Sequence, residues 1–226
     1  MSSTVGNARE ELRSLLASGV DLQFRPHGPG STRTPRKSAV LILFGALDRV
    51  LADSQAGSVP AELDVLLMRR SSTLRHHAGQ VSFPGGGVEP ADTGPIDTAL
   101  REAHEETGLD PAGVEILGTM PEVHIAVSDY LVTPVVGWWA KPSTVAADHS
   151  ESVEVFRVPV AELLDPASRG TSVIRRGGLA YRGDAFQLQR QGHIVWGFTG
   201  VLLSHLFEKL GWASPWDASR EFEIIP

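Results

Sequence analysis

The 226-residue chain contains no cysteine. Disulfide staples, thiolate nucleophiles and cysteine-ligated zinc are therefore excluded. Eight histidines are present, none in the HExxH spacing that places two on one helix face, so a zinc site has no support. Long apolar runs are missing too: no stretch approaches the ~18 residues of a membrane span. The N-terminal MSSTVGNAREELRSLL lacks the apolar core of a secretion signal, so the expectation is a cytoplasmic protein with no membrane partner. Positive charge is in deficit, with 20 Lys and Arg against 27 Asp and Glu, a net charge of -7. That balance argues against nucleic-acid binding through a broad basic face. The deficit is uneven: residues 1–80 hold 10 basic against 7 acidic residues, and the remainder 10 against 20.

What is present suffices for a core. Hydrophobic residues make up 42% of the chain, and Gly and Pro are not in disorder-forming excess. Residues 7–18 have the spacing of a short amphipathic helix with Leu12, Leu15 and Leu16 on one side. The basic, Pro- and Gly-rich segment 25–37 predicts a linker, dividing the chain into an N-terminal part (1–37) and a main domain (38–226). Apolar runs at 38–44, 64–70, 114–120, 130–139 and 152–160 predict strands. TSVIRRGGLAYRG predicts a hairpin turning at Gly177–Gly178, and 196–211 a core helix closed by Gly211. Strands of mixed length with two or three intervening helices predict an α/β or α+β sandwich.

The segment 95–107 predicts a helix, with Asp92 or Thr93 capping, Pro95 in its first turn and Gly108 after its last. Ile96, Ala99, Leu100, Ala103 and Thr107 share one inward stripe, and Glu102, Glu105 and Glu106 fall together on a flank. Arg101 lies at that flank's edge. Carboxylates near a helix C-terminus oppose the helix dipole by about 0.3–1 kcal/mol each. A hard divalent cation, which prefers oxygen ligands and keeps several waters, would turn that penalty into an asset. One loop upstream, FPGGG (83–87) lets the backbone come close to a ligand or metal.

The stretch GGGVEPADTGPIDTALREAHEETGL resembles the Nudix box: a glycine, then a glutamate, then R-E-hydrophobic-x-E-E-x-G-hydrophobic. Gly86, Arg101, Glu102, Ala103, Glu105, Glu106, Gly108 and Leu109 fill its places. Asp92 stands where the motif has its first glutamate, and one extra residue separates Gly86 from Arg101. The preceding LLMRRSSTLRHHAGQVSFPGG resembles the signature of the coenzyme A pyrophosphatase branch, through Leu66, Leu67, Arg70, Ser71, Arg75, Gly79, Phe83, Pro84, Gly85 and Gly86. Met68 replaces that signature's threonine.

The resemblance implies an α/β fold, a Nudix-type α/β/α sandwich with a mixed central sheet. It also implies hydrolysis of a nucleoside diphosphate derivative, for coenzyme A to 3',5'-ADP and 4'-phosphopantetheine, with Mg²⁺ or Mn²⁺ as cofactor. By the same match Glu102, Glu105 and Glu106 are metal ligands with the backbone of Gly86 or Gly85 nearby, and Arg101 holds a glutamate in place. Glu105, or an acidic residue from the later strand such as Glu151, is the base. Arg70 and Arg75 are phosphate-gripping candidates, with Gly79 and Phe83 beside the substrate. His76 and His77 lie between them; the plainer reading is a solvent-facing pair. Trp138, Trp139 and Trp196 are stacking candidates whose commoner role is core. The implied partner is a small nucleotide, with a homodimer compatible. Two alternatives stay open: action of the same box on ADP-ribose, a dinucleotide or a damaged nucleotide, and a catalytically inactive nucleotide-binding domain.

Overall fold

Alternation along one strand organises the molecule. In the computed structural model, which describes residues 4–20, 34–46, 59–72 and 78–225, an N-terminal helix α1 (Val5–Ser18) is followed by strand β1 (Arg36–Ala46). Ala39, Leu41 and Leu43 point to one face of β1, Ile42 and Phe44 to the other, and all five are fully buried. A period-2 strand with both faces apolar must be covered on both sides.

Strands β2 (Leu63–Arg70), β3 (Val81–Ser82) and β4 (Gly85–Gly87) precede helix α2 (Pro95–Thr107). Then come β5 (Val114–Thr119), β6 (Val123–Ile125), β7 (Tyr130–Trp139) and β8 (Ser152–Pro159). These eight strands form one sheet with the path β3-β2-β1-β7-β5; β4 pairs with β1, β6 with β7 and β8 with β2. The β1–β7 pairing is parallel over Arg36–Phe44, and the others are antiparallel, so the sheet is mixed. On one face α2 packs Ala99 and Ala103 against Ala39, Leu41, Leu43, Leu66, Val135 and Trp139. The opposite face carries the larger core.

That second face is covered by α1, by α3 (Val160–Leu164) and by a smaller unit. The unit consists of β9 (Arg169–Arg176), β10 (Leu179–Gln187), β11 (Ile194–Val195), α4 (Gly197–Lys209) and β12 (Glu221–Glu223). Its four strands order as β11-β10-β9-β12. The β9–β10 hairpin turns where predicted, Arg176 pairing with Leu179 across Gly177 (φ 58°) and Gly178 (φ 77°). Two successive left-handed residues match the right-handed twist of the flanking strands. Trp138, expected as core, lies in the larger cluster and Trp139 in the α2-side cluster.

Several expectations shift at their edges. Arg36 and Lys37, counted as linker, already belong to β1; positions 21–33 lie outside the described residues. Helix α1 is not an isolated appendage. Ala8 and Leu12 sit in the larger core, Arg9 and Arg13 both reach Glu115 on β5, and Trp212 Nε1 donates to Glu11 Oε2 at 2.6 Å. The run at 152–160 ends as a strand at Pro159, and Val160 opens α3.

One buried ion pair crosses the sheet edge. Arg157 on β8 donates through Nη2 to Asp64 Oδ1 and to Ala46 O, each at 2.9 Å, while its Nε lies 2.5 Å from Asp64 Oδ2 without hydrogen-bond alignment. Burial raises the Asp64 pKa from 3.8 to about 6, outweighing the pull of Arg157. A folded-state pKa above the unfolded one means that the native state binds more protons between those values. The contribution is then fully present below 3.8 and lost as pH rises through about 6. We expect wild type to gain about 1 kcal/mol relative to Asp64→Asn between pH 7.5 and 5, measured by urea denaturation at both values; a difference independent of pH would refute the assignment.

Candidate active site

The site forms where α2 crosses β4. Strand β4 aligns on β1, with Ala39 opposite Gly86 and Val40 opposite Gly85. A Cβ on Gly86 would lie 2.4 Å from the Glu102 carboxylate, and one on Gly85 would lie 2.4 Å from Ala39 O. The two glycines therefore let the strand backbone and a helix carboxylate share space that any side chain would fill.

Helix α2 spans its predicted residues, but its start differs. Gly94, with extended backbone, is the N-cap, and neither Asp92 nor Thr93 caps. Both are otherwise engaged: Thr93 donates its N–H and its hydroxyl to Asp97 Oδ2. Asp92 is held by Glu89 N–H and Thr98 Oγ1, each at 2.8 Å, and grips Arg101. Arg101 Nε and Nη2 donate to the two Asp92 oxygens, each at 3.0 Å, a two-pronged pair of the kind that fixes geometry as well as adding energy. Hydrogen bonds from Arg101 hold the Asp92 carboxyl well below the usual carboxylate range. Asp92 thus supplies the carboxylate that pairs with Arg101, and the extra residue falls within 93–100, between the two; the turn at 89–92 is closed by Asp92 N–H bonding to Glu89 O.

Arg101 also donates through Nη2 to Gly87 O at 2.9 Å, and through Nη1 to Glu102 Oε1 at 3.0 Å and Glu105 Oε2 at 3.1 Å. It joins the β4 backbone, the helix entry and two of the three glutamates. His104, the other candidate to neutralise the cluster, instead pairs its Nδ1 with Leu109 O at the helix end.

The glutamates do not share one exposure. The inward stripe holds Thr98, Ala99, Ala103, Glu106 and Thr107, whereas Ile96 is 37% exposed and Leu100 only half-buried. The expected Ile96–Leu100 edge is displaced because α2 rolls its Glu106 side toward β4. Glu106 is 2% exposed; its Oε2 accepts from Gly85 N–H at 2.8 Å and its Oε1 from Arg70 Nη1 at 3.4 Å. Burial pushes the Glu106 pKa up to about 8, and repulsion from Glu102 and Glu151 adds to it, against the Gly85 N–H and Arg70. Burial likewise raises Glu102, opposed by Arg101. Glu105 stands in solvent.

Five carboxylates (Asp92, Glu102, Glu105, Glu106 and Glu151) thus face two guanidinium groups, Arg70 and Arg101. No three His, Asp or Glu side chains among the described residues are already gathered to hold an ion alone. A set of hard oxygen donors only partly neutralised by two guanidinium groups, beside a cleared backbone, nevertheless fits Mg²⁺ or Mn²⁺, since Mg²⁺ is typically held by few carboxylates together with waters and substrate phosphates.

Arg70 stands at the end of β2, its side chain on the Glu106 carboxylate. Gly79 lies in an exposed turn at φ 69°. Phe83 is 2% exposed and packs within the larger core. Arg75, His76 and His77 lie outside the described residues. Trp196 is the half-buried N-cap of α4. Sequence reasoning missed Asp148 and Ser152, which tie the loop carrying Glu151 to α2. An Asp starting the run DHSES, a residue type that bonds the backbone just ahead of it, was the available signal.

A family model for the NUDIX domain matches residues 50–176. The chain belongs to the NUDIX domain family. It is 36% identical over 204 residues to a protein named uncharacterized Nudix hydrolase NudL from Escherichia coli O7:K1, covering 89% of this chain and 98% of that one. To the protein of the same name from Photorhabdus laumondii it is 37% identical over 146 residues, covering 65% and 76%. A crystal structure of a NUDIX hydrolase from Nitrosomonas europaea is similar at TM-score 0.48 and 13% identity, covering 86% of this chain and 82% of that one. The protein is a Nudix hydrolase with a mixed-sheet α/β fold.

In this Nudix hydrolase, adjacent glycines separate by role. Gly86→Ala is expected to displace Glu102 and lower kcat by about 100-fold in a protein with unchanged circular dichroism. At Gly87 an added Cβ meets nothing within 4 Å, so Gly87→Ala should stay within about twofold of wild type. Equal losses in the two variants would refute the close-approach argument.

Proposed function

We propose that this Nudix hydrolase cleaves the pyrophosphate of coenzyme A or a derivative, with Mg²⁺ or Mn²⁺ held by Glu102, Glu105, Glu106 and the backbone carbonyl of Gly86. The observation that carries this reading is the meeting of two segments. Arg70, from the stretch resembling the coenzyme A branch, reaches Glu106, from the stretch resembling the Nudix box. Basic and acidic halves of the chain thus converge on one point, as a polyanionic substrate and a cation-dependent site both require.

The residues divide the work by exposure and charge. A bound divalent ion supplies neutralisation of diphosphate charge and an acidified water. Arg101 holds Glu102 and Glu105 in fixed directions, so little reorganisation is needed when charge develops. Arg70 and Arg75 offer planar forks to phosphate oxygens, Arg70 exchanging its long contact with Glu106 for a substrate oxygen. Either Glu105 or Glu151 takes the proton from the water as its oxygen bonds to phosphorus and the bridging P–O bond breaks. The second phosphoryl group leaves as the terminal phosphate of the other product. Coenzyme A carries a 3'-phosphate besides its diphosphate, which gives a pair of arginines two anionic groups to serve.

Three measurements test the proposal. A substrate panel with Mg²⁺ or Mn²⁺ should show coenzyme A turned over faster than ADP-ribose or a dinucleotide; the reverse order would overturn the choice of substrate. Glu106→Gln should keep the fold and lose about 100-fold or more in kcat, and near-normal turnover would dismiss the metal assignment. Arg75→Ala should raise KM for coenzyme A by about tenfold, the worth of one charge-assisted hydrogen bond, and less for dephospho-coenzyme A. Equal effects on both substrates would remove Arg75 from the 3'-phosphate.

A further inference from the structure

The loop preceding β8 is knotted around one side chain. Asp148 Oδ1 accepts from the backbone N–H of Glu151 at 3.1 Å and of Ser152 at 2.8 Å. Its Oδ2 takes the Ser150 hydroxyl. Ser152, fully buried, donates its hydroxyl to Glu106 O at 2.7 Å. That carbonyl belongs to the last turn of α2, where helix geometry leaves acceptors without intrahelical partners. From the other side, Ser71 N–H bonds to Glu151 O at 2.7 Å, one residue beyond Arg70. The backbone of Glu151 is therefore fixed on both its N–H and its carbonyl, between the phosphate-facing end of β2 and the glutamate-bearing end of α2.

The knot holds a backbone conformation uncommon for a residue other than glycine. His149 sits at φ 65°, left-handed for a residue with a Cβ, and its N–H is taken by Ser152 O at 2.9 Å. Such backbone persists where its surroundings over-determine it, and these places cluster at functional sites. The charges also oppose the arrangement. Glu151 is exposed, with an open path into solvent, and repulsion from Glu102 and Glu106 favours that path. A short polar clasp working against like-charge repulsion has a use if the carboxylate it restrains is needed where it stands.

We propose that Asp148 is a positioning residue of the hydrolytic site, clasping the backbone of Glu151 so that its carboxylate stays beside Glu102 and Glu106, with Ser152 fastening the clasp to α2. This rests on the functional reading above and commits it to Glu151, of the two candidate bases, as the group that serves the hydrolysis. It goes further by assigning roles to two residues that lie outside both motifs. The clasp needs an acceptor oxygen at position 148 and no negative charge, because the atoms it binds are N–H and O–H donors.

Its test is a double-mutant cycle, using the full chain and the fastest substrate of the panel. Asp148→Ala should lower kcat by about 10- to 100-fold, the range expected of a misplaced catalytic group, with KM within about twofold. Asp148→Asn, which keeps the acceptor, should recover most of that loss. In a Glu151→Gln background, Asp148→Ala should add less than about threefold, because a clasp with nothing to hold has no further effect. Ser152→Ala removes a single hydroxyl and carries the same cycle if alanine at 148 compromises folding.

An undiminished loss in the Glu151→Gln background, or an asparagine no better than alanine, would overturn the proposal, as the residue would then support the loop for its own sake. Full activity of Glu151→Gln alone would overturn it equally. Full activity of Glu106→Gln would instead bring down the functional reading beneath it. These failures are told apart by which single variant stays active.

Discussion

A carboxylate buried at the wrong end of a helix sets the terms for everything around it. Glu106 lies at the C-terminal end of α2, where the dipole is unfavourable, and is almost removed from water. An isolated ionised carboxylate is not tolerated in such a place without partners or a shifted pKa. The chain supplies both, in the Gly85 N–H, the Arg70 guanidinium and a pKa pushed to about 8. Each partner comes from a different element: the backbone comes from β4 and the guanidinium from β2. The position of α2 against the sheet is therefore tied to the chemistry at its end.

Arg101 complements this from the exposed side. It bonds to Asp92, Glu102, Glu105 and Gly87 O, so one guanidinium fixes the helix entry, two glutamates and the strand they face. Its bond to Asp92 shows how a departure from a motif can keep the same ion pair. With one fewer methylene in the side chain and one more residue between Asp92 and Arg101, the carboxylate still meets the guanidinium through both oxygens. The clasp at Asp148 applies the same economy to the loop carrying Glu151, using backbone donors in place of a guanidinium. The repulsion among the glutamates is thus held in check by partners that fix direction more than they cancel charge.

Much of this was legible in the sequence because it is local. The 3.6-residue and 2-residue periods gave α2 its limits, β7 its full span and the β9–β10 hairpin its turn at Gly177–Gly178. The resemblance to the Nudix box and to the signature before it named candidate residues for the site, of which Gly85, Arg70, Arg101 and the three glutamates meet in the fold. What stayed hidden involved distant partners. A helical wheel puts Glu106 on a polar flank with Glu105, yet it cannot tell that a glycine strand 21 residues upstream will lie over that flank and bury one of the two. Phe83 illustrates the reverse case, a motif residue that packing claims for the core.

The division follows from the range of the forces. Composition, hydrophobic period, turn chemistry and motif spacing act within a few residues, so the chain alone determined its longer strands and helices, its lack of thiol chemistry and the set of carboxylates available for a cation. Burial, pKa and mutual distance depend on what packs against what. Only the tertiary structure decided that Glu106 is buried while Glu105 stands in solvent, that Asp92 completes the arginine's grip, and that a loop over 40 residues beyond α2 returns to its final turn through Ser152 and Glu106. The electrostatics of those groups are set by solvent exclusion, and no residue excludes solvent from itself.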